Sequence, residues 1–367
     1  MAGLICGTIC MNLCCDPCGG GCMSRSVPWL PSHLTPERIT LWLQQSGGLE
    51  KDNKVRTVDL KPFAIGEGLM SIMYRVTVVY EYAPKNGLKT AFVCKLSPPA
   101  AKPRVLGALL SLFEAEVNFY NKGLKEATKM DAPNCYYAGS ASNGRYCILL
   151  EDLSPAKAGQ QLAGVKIEHA REATKTLAKF HAKYRGKMRT EKVFEGWLLR
   201  QDDRAYWKLV KGSYVKAAKT VQPRIDNVFK TPNVDGFSQI AVKFGDNFDK
   251  WMELVCLDNK ELNPNANSQL TLTHGDFRAE NMFFDAPTSF NGSNSTTSAA
   301  TGGSKDDGGD GGGGLGMRLV DFQLLKESSG PAELCYFVGT SMTIEDRRKY
   351  EVELLQLYYD EMKGELL

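Results

Sequence analysis

The stretch HGDFRAEN, residues 274–281, decides how this chain is interpreted. It lies within Leu270–Asp285, where two apolar runs flank a polar middle and predict a strand, a loop and a second strand. His274, Asp276 and Asn281 follow the spacing H-x-D-x-x-x-x-N. An aspartate in such a loop can accept or orient a hydroxyl proton, and the asparagine can offer an amide oxygen to Mg²⁺. The alternative is a chance loop in which these side chains only cap turns.

A second stretch, LVDFQ at residues 319–323, is an apolar run that leads into Asp321. A carboxylate there can hold a metal ion against nucleotide phosphates, as phosphoryl transfer requires. Between the two stretches lies Pro287–Gly316, which contains ten glycines and almost no large apolar side chains. It cannot bury enough surface to offset the entropy of ordering, so we predict a disordered insertion over 287–316. Without it, the two stretches would lie on neighbouring strands of a short hairpin.

A lysine in an apolar strand and a glutamate in the following helix form a further candidate pair. Lys95 lies in the strand pattern Thr90–Leu96, and the apolar spacing that follows predicts a helix over Gly107–Tyr120. We choose Glu116 in that helix as the ion-pair partner that positions Lys95 for the phosphates. Two solvent-facing surface charges are the alternative.

Gly66 and Gly68 precede the β-rich run Ser71–Tyr82. They match a phosphate-covering glycine loop only weakly, because the third glycine of that pattern is missing. Backbone N–H groups or the hydroxyl of Ser71 can still meet a phosphate. A simple tight turn explains the same glycines equally well.

The run ILLEDL, residues 148–153, predicts a strand that ends where two lobes would join. Backbone groups around Glu151 and Leu153 could hold an adenine ring there. Taken alone, the run is only the end of a strand.

The overall composition is that of a globular protein able to bury a large core. Hydrophobic residues make up 43% of the 367 residues, and the formal net charge is +3. Nucleic acid is not an expected partner, since its binders usually carry a clear basic excess, whereas a nucleotide is compatible. Six of the eleven cysteines lie between Cys6 and Cys22 and the rest are scattered. This usage favours a reducing compartment, and we expect a cytoplasmic protein.

Residues 1–30 are expected to form a flexible, cysteine-rich tail. Met1–Cys15 carries no charge, but it lacks the positive region of a secretory signal and is too short to span a bilayer. Ala2 rather than glycine follows the first methionine, so the myristoylation pattern is absent. S-acylation or metal capture by the cysteines is the alternative. No other run is long and apolar enough to predict a transmembrane segment.

Taken together, these stretches resemble the aminoglycoside phosphotransferase and choline kinase-like superfamily, most closely its ecdysteroid kinase-like (CHK-type) branch. The resemblance covers about residues 55–362 without the insertion, and Gln323 in the place of the protein-kinase DFG glycine points to that branch. The motifs that carry it are HGDFRAENMFF (274–284), LVDFQ (319–323), SGPAELCYFVG (329–339) and EDRRKYEVELLQLYYDEM (345–362), with ILLEDL (148–153) and LAKFHAKYRG (177–186) in support.

This resemblance implies an α+β, bilobal, protein-kinase-like fold. A small β-rich nucleotide-binding lobe would occupy 31–150, and a larger, mainly helical lobe with the catalytic and acceptor groups would occupy 151–367. The implied cofactors are ATP and Mg²⁺. The implied site residues are Lys95 and Glu116 for the nucleotide, Asp276 with His274 for catalysis, and Asn281 and Asp321 for the metal. Glu333 departs from the family, in which aspartate is frequent at that place.

We therefore expect ATP- and Mg²⁺-dependent transfer of the γ-phosphate to a hydroxyl of a small molecule. The alternative is a nucleotide-binding scaffold without catalysis. A protein kinase fits poorly, because no APE-type segment follows Asp321.

The acceptor would be selected by residues 196–262. This region is rich in lysine, which disfavours a polycationic acceptor. It nevertheless offers acidic and aromatic side chains, namely Trp197, Asp202, Asp203, Tyr206 and Trp207. His181 lies on the apolar side of a predicted helix and is interpreted as a packed structural histidine.

Overall fold

The computed structural model describes residues 27–63, 71–228, 243–250, 269–284 and 316–366. Its β-rich part is a five-stranded antiparallel sheet in the order β1-β2-β3-β5-β4. The strands are β1 (Val55–Phe63), β2 (Ile72–Tyr80), β3 (Ala91–Leu96), β4 (Cys135–Ser140) and β5 (Tyr146–Glu151). Their density of β-branched and aromatic residues favours such pleated, half-buried surfaces.

Two helices cover the opposite faces of this sheet. Helix α1 (Pro36–Gln45) begins after Thr35, whose hydroxyl caps it. It packs Trp42 and its neighbours onto one face of the sheet, which includes Phe92 and Cys94. The other face, with Ile148 and Leu150, packs against the helix that carries Phe113 and Val117. Alternation along each strand therefore decides which side chains face the second helix.

The helix predicted over Gly107–Tyr120 consists of two helices, α2 (Ala101–Leu109) and α3 (Leu112–Asn121), followed by the short α4 (Leu124–Ala127). The break lies at Ser111, whose φ of 54° is left-handed. In one continuous helix Leu109 and Leu112 would share a face. The break instead buries Leu112 and leaves Leu109 74% exposed.

The helical part is built on α5 (Ile167–Tyr184), whose buried residues recur at helical spacing. Helix α8 (Ile344–Leu366) packs along α5, with Leu354, Tyr358 and Met362 buried. Among the described residues, this part also contains α6 (Arg204–Val228) and α7 (Gly330–Ser341).

Short strands join these helices to the loops of the site. Strands β6 (Lys157–Ala158), β8 (Met282–Phe284) and β9 (Met317–Leu319) form one small sheet. A second sheet pairs β7 (Leu270–Thr273) with β10 (Lys326–Ser329). The predicted order of strand, loop and strand around HGDFRAEN is confirmed, and β8 pairs antiparallel with β9 as the hairpin prediction required.

The observed elements confirm the α+β class, with a β-sheet-rich part and a mainly helical part. Gly316 directly precedes β9, but the rest of the predicted insertion, 287–315, lies outside the described residues. The predicted tail lies outside them up to residue 26. In the part of the chain that the structure describes, no helix has the length and apolarity needed to cross a membrane.

Candidate functional site

Lys95 lies between two carboxylates on the face of the sheet that meets α3. Its neighbours Cys94 and Leu96 pack on the α1 side, so alternation turns Lys95 the other way. Its Nζ lies 2.8 Å and 3.1 Å from the two carboxylate oxygens of Glu116 and 2.8 Å from Oδ1 of Asp321. Lys95 is 6% exposed and Glu116 is 0% exposed. The alternative of two solvent-facing charges is therefore wrong.

The ammonium of Lys95 and the carboxylate of Asp321 favour each other's ionised form. Burial alone would lower the pKa of Lys95, but the carboxylates of Asp321 and Glu116 outweigh burial and raise it above the ordinary value. Burial would likewise raise the pKa of Asp321, yet the ammonium of Lys95 lowers it. Glu116 also accepts a hydrogen bond from the buried hydroxyl of Tyr146. The ammonium of Lys95 thus faces two carboxylates, those of Glu116 and Asp321, so a further cation would be attracted to this cluster.

Asp276 has both carboxylate oxygens held by neighbouring side chains. Its Oδ2 accepts hydrogen bonds from Nε of Arg278 at 3.1 Å and from Nδ2 of Asn281 at 3.0 Å. Its Oδ1 accepts one from the hydroxyl of Tyr336 at 3.0 Å. The same Nδ2 of Asn281 donates to the carbonyl oxygen of Asp276 at 2.9 Å. The aspartate and asparagine of the motif are therefore in direct contact.

His274 is fully buried and bonds backbone groups through both ring nitrogens. Nε2 lies 3.0 Å from the carbonyl oxygen of Val320, and Nδ1 accepts the N–H of Asp276 at 3.3 Å. Because a carbonyl only accepts, both contacts require the neutral tautomer with the proton on Nε2. The sequence pattern predicted a catalytic His274. Both ring nitrogens contact backbone groups and so hold the loop in place, while a catalytic role of His274 stays a prediction.

Asp321 leaves β9 in a left-handed conformation, with φ 70°. Phe322, the next residue, is fully buried and stacks on Phe119 of α3 with ring centroids 3.5 Å apart. The ring of His274 meets Phe322 edge-on at 5.0 Å. This aromatic packing fixes the backbone that aims Asp321 at the ammonium of Lys95.

Asn281 and Asp321, the predicted metal ligands, lie at adjoining strand ends. The N–H of Val320 donates to the carbonyl oxygen of Asn281 at 3.0 Å. Within the described residues, no hydrogen bond engages Oδ1 of Asn281 or Oδ2 of Asp321. Mg²⁺ is usually bound by one or two such protein oxygens, with substrate phosphates and water completing its octahedron. The donor set therefore fits a Mg²⁺ ion shared with a nucleotide.

The family model described as "Ecdysteroid kinase-like family" matches residues 65–291 and 312–367. The chain belongs to this family. The match confirms the resemblance drawn from the motifs and includes both HGDFRAEN and LVDFQ. No curated protein sequence matches.

Several solved structures are similar to this ecdysteroid kinase-like chain. A macrolide 2'-phosphotransferase from Brachybacterium faecium is 14% identical with a TM-score of 0.40, covering 89% of this chain and 84% of that one. A Plasmodium vivax ethanolamine kinase is 12% identical with a TM-score of 0.41, covering 84% and 71%. An aminoglycoside 2'-phosphotransferase in complex with GDP is 13% identical with a TM-score of 0.40, covering 90% and 81%.

In this ecdysteroid kinase-like chain, α7 holds the loop that carries Asp276. The carboxylate of Glu333 accepts the N–H groups of His274, at 2.9 Å, and of Gly275. Nε2 of His181 lies 2.9 Å from the same carboxylate, and Nδ1 lies 2.8 Å from the hydroxyl of Tyr358. His181 is 0% exposed, which confirms the prediction of a packed histidine.

Sequence reasoning missed Arg278, Glu333 and Tyr336 as members of the site. Arg278 lies inside the motif, where a cation two residues after Asp276 was an available signal. Glu333 was noted only as a departure from the family. Tyr336 is 60 residues away from Asp276 in the chain, and no local pattern predicts that contact.

The other residues predicted to bind the nucleotide, at its base and its phosphates, do not form a cluster like those around Lys95 and Asp276. Gly66 and Gly68 lie outside the described residues, and Ser71 directly precedes β2. The carboxylate of Glu151 pairs with Lys89 at 3.0 Å and with Arg318 at 3.5 Å. Leu153 is 6% exposed, just after the end of β5. At 151–153 the N–H of Glu151 donates to Asn134, and the carbonyl oxygens of Asp152 and Leu153 accept hydrogen bonds from Lys89 and Ala156. Among the described residues, no hydrogen bond engages the N–H groups of Asp152 and Leu153, which are left for a base.

The two aspartates singled out in the predicted acceptor region, Asp202 and Asp203, are engaged within the protein. Asp202 pairs with Arg189 at 3.0 Å. Asp203 accepts the N–H of Tyr206 at 2.9 Å and so caps the start of α6. Neither is placed as a free anion for a cationic acceptor, in line with the lysine-rich composition.

Proposed function

We propose that this protein is an ATP- and Mg²⁺-dependent phosphotransferase that phosphorylates a hydroxyl of a small molecule. The observation that carries the proposal is the contact between the Lys95–Glu116 ion pair and the group formed by Asp321, Asn281 and Asp276. Lys95 lies on β3 of the sheet and its ion-pair partner Glu116 lies on α3. The Nζ atom of Lys95 is also 2.8 Å from Oδ1 of Asp321. Asp321 in turn adjoins Asn281, which bonds Asp276.

The residues present divide the work of phosphoryl transfer. Lys95, aligned by Glu116, would hold the nucleotide phosphates, and Asn281 with Asp321 would hold Mg²⁺. When bound, that ion neutralises charge on the transferred phosphoryl group. Asp276 would orient the acceptor hydroxyl and take its proton at Oδ1. His274 and Glu333 would keep the loop in position through its backbone.

For the acceptor we propose an uncharged or anionic alcohol rather than a polycation. A cavity of about 100 Å³ is lined by Gly275, the residue that precedes Asp276 in the chain, and among others by Trp197, Tyr206, Gln323 and Lys326. None of the described residues that line it carries a carboxylate. Aromatic walls and one ammonium suit an apolar body with an oxygen-bearing group.

We also propose the division of labour along the chain. Residues 31–150 would form the nucleotide-binding lobe, with main-chain groups near Glu151 and Leu153 at the base and Ser71 near the phosphates. Residues 151–367 would form the catalytic and acceptor lobe. Gly66 and Gly68 would belong to the loop that covers the phosphates.

The proposal is tested by incubating the protein with Mg-ATP and a mixed metabolite extract and detecting new phosphorylated species by mass spectrometry. We expect at least one product that disappears with Asp276→Asn. The matched control is Asp59→Asn, which changes a 63% exposed side chain on β1. Nucleotide binding without any product across broad extracts would contradict catalysis and favour the scaffold alternative.

A further inference from the structure

The two oxygens of the Asp276 carboxylate have different surroundings. Oδ2 is engaged by Arg278 and Asn281, both of which belong to the same loop. Oδ1 has a hydrogen bond from Tyr336, which comes from α7. A hydroxyl that is to be deprotonated must lie within hydrogen-bond reach of its base. Oδ1 is therefore the oxygen left for an acceptor, and another hydroxyl already occupies it.

The position of Tyr336 is fixed by the helix that carries it. Glu333 lies three residues earlier, on the same side of α7. Its carboxylate accepts backbone N–H groups of the loop that carries Asp276. At the other end of the helix, the hydroxyl of Ser341 accepts the N–H of Ala279 at 3.0 Å. The hydrogen bond from Tyr336 to Asp276 thus lies between two anchored points.

Tyr336 is also placed where an arriving molecule can displace it. Tyr336 is 41% exposed, so its side chain borders solvent rather than the core. Burial and then the carboxylate of Asp276 raise the pKa of Tyr336 to about 12. At neutral pH the phenol is therefore protonated and acts as the donor.

Building on the proposed function, we propose that the hydroxyl of Tyr336 stands in for the acceptor hydroxyl on Oδ1 of Asp276 and excludes water from that position. An acceptor would displace it and present its own hydroxyl to the carboxylate. Without an acceptor, Tyr336 would suppress transfer of the γ-phosphate to water. Tyr336 is then a selectivity residue that discriminates between alcohols able to displace it and water.

This inference predicts the sign of a mutational effect. In the reaction with water, the water oxygen bonds to the γ-phosphorus and the bond to the β-phosphate oxygen breaks. ADP and inorganic phosphate leave, and the water proton passes to Asp276. Tyr336→Phe keeps the ring but frees Oδ1 for water. A merely structural tyrosine would instead lose activity on this change.

The test is ADP release from Mg-ATP in the absence of any acceptor. We expect Tyr336→Phe to raise the rate about three- to tenfold, the range that one hydrogen bond accounts for. The rise should vanish in Tyr336→Phe/Asp276→Asn. Tyr359→Phe, which removes a hydroxyl from a residue 60% exposed on α8, is the matched control and should change nothing. Tyr336→Leu, which also removes the hydroxyl, should show the same rise.

Two outcomes overturn the inference, and they differ in what else they affect. If wild type binds Mg-ATP and neither Tyr336 variant releases more ADP, the role of Tyr336 is wrong and the proposed phosphotransferase stands. If folded wild type does not bind Mg-ATP, both proposals fail together. Nucleotide binding and melting temperature are measured on every variant to separate these cases.

Discussion

At the scale of single residues, the ammonium of Lys95 forms ion pairs with the buried carboxylate of Glu116 and the half-buried carboxylate of Asp321. Replacing it by methionine keeps most of the volume but leaves Glu116, which is 0% exposed, without its cation. Removing one partner of a buried pair costs about 3 kcal/mol of unfolding free energy. We also expect phosphotransferase activity to fall about 10²-fold or more, because the phosphate-binding charge is gone. Urea unfolding and initial rates measure the two effects.

The control for this change is Lys61→Met, whose side chain is 80% exposed on β1 and which should alter neither quantity much. Lys95→Met/Glu116→Gln should recover part of the stability but none of the activity. If the single Lys95 variant keeps wild-type activity, the assigned phosphate-binding role is wrong.

Glu333 gives a residue-scale prediction about pH. Burial would raise its pKa, but His181 and other neighbours lower it below the ordinary value of 4.5. A group with a depressed pKa stabilises the fold fully above about pH 4.5, and that contribution disappears as the pH falls through the folded-state value. Glu333→Gln should therefore lower the melting temperature at pH 7, by an amount that shrinks towards pH 3.

Melting temperatures between pH 3 and pH 7 check this prediction. Glu365→Gln, an exposed site near the end of α8, is the matched control and should show no such trend. A deficit of the Glu333 variant that stays constant across this range would contradict the assigned ionic role.

At the scale of elements, the catalytic loop depends on Gly275. Its φ of 85° is left-handed, and a methyl group there would overlap the carbonyl oxygen of Leu324. Gly275→Ala should therefore displace the loop and reduce activity about 10²-fold. Gly47→Ala is matched in backbone, with φ 75°, but meets no atom within 4 Å. It should cost only about 1 kcal/mol of stability and no activity, as unfolding and rate measurements would show.

The elements also show what sequence patterns can predict. The motif gave the strand, loop and strand around Asp276, because that spacing is local. The helix over 107–120 was predicted as continuous because apolar periodicity does not report a left-handed residue such as Ser111. His274 was assigned to catalysis by its place in the motif. Its burial against Val320 depends on a strand that arrives from elsewhere in the chain.

At the scale of the whole molecule, the ion pair between Lys95 and Asp321 connects the sheet with the helical part. A Mg-nucleotide complex bound there should stabilise both parts. At a concentration 100 times its Kd, the expected gain is about 2.7 kcal/mol of unfolding free energy. Chelating the metal with EDTA should remove most of the gain, and Asp321→Asn should show little of it. Thermal melts with Mg-ATP, and with ATP plus EDTA, measure this.

The contacts that were not predictable are those between the loop carrying Asp276 and α7. Asp276 meets Tyr336, and His274 meets Glu333, only because α7 packs beside the loop. A single sequence gives the chemistry of each residue but not the packing of distant helices. The motif residues Lys95, Glu116, Asn281 and Asp321 were within reach of prediction because their spacing follows a known order.

The central claim is that Asp276 serves transfer of the γ-phosphate to an alcohol. The most direct test measures transfer of an isotope-labelled γ-phosphate from ATP to the acceptor found in the extract screen, comparing wild type with Asp276→Asn. We predict a fall in kcat of about 10² to 10⁴-fold, with ATP affinity changed by less than about threefold. Undiminished transfer by the folded Asp276 variant would contradict the account.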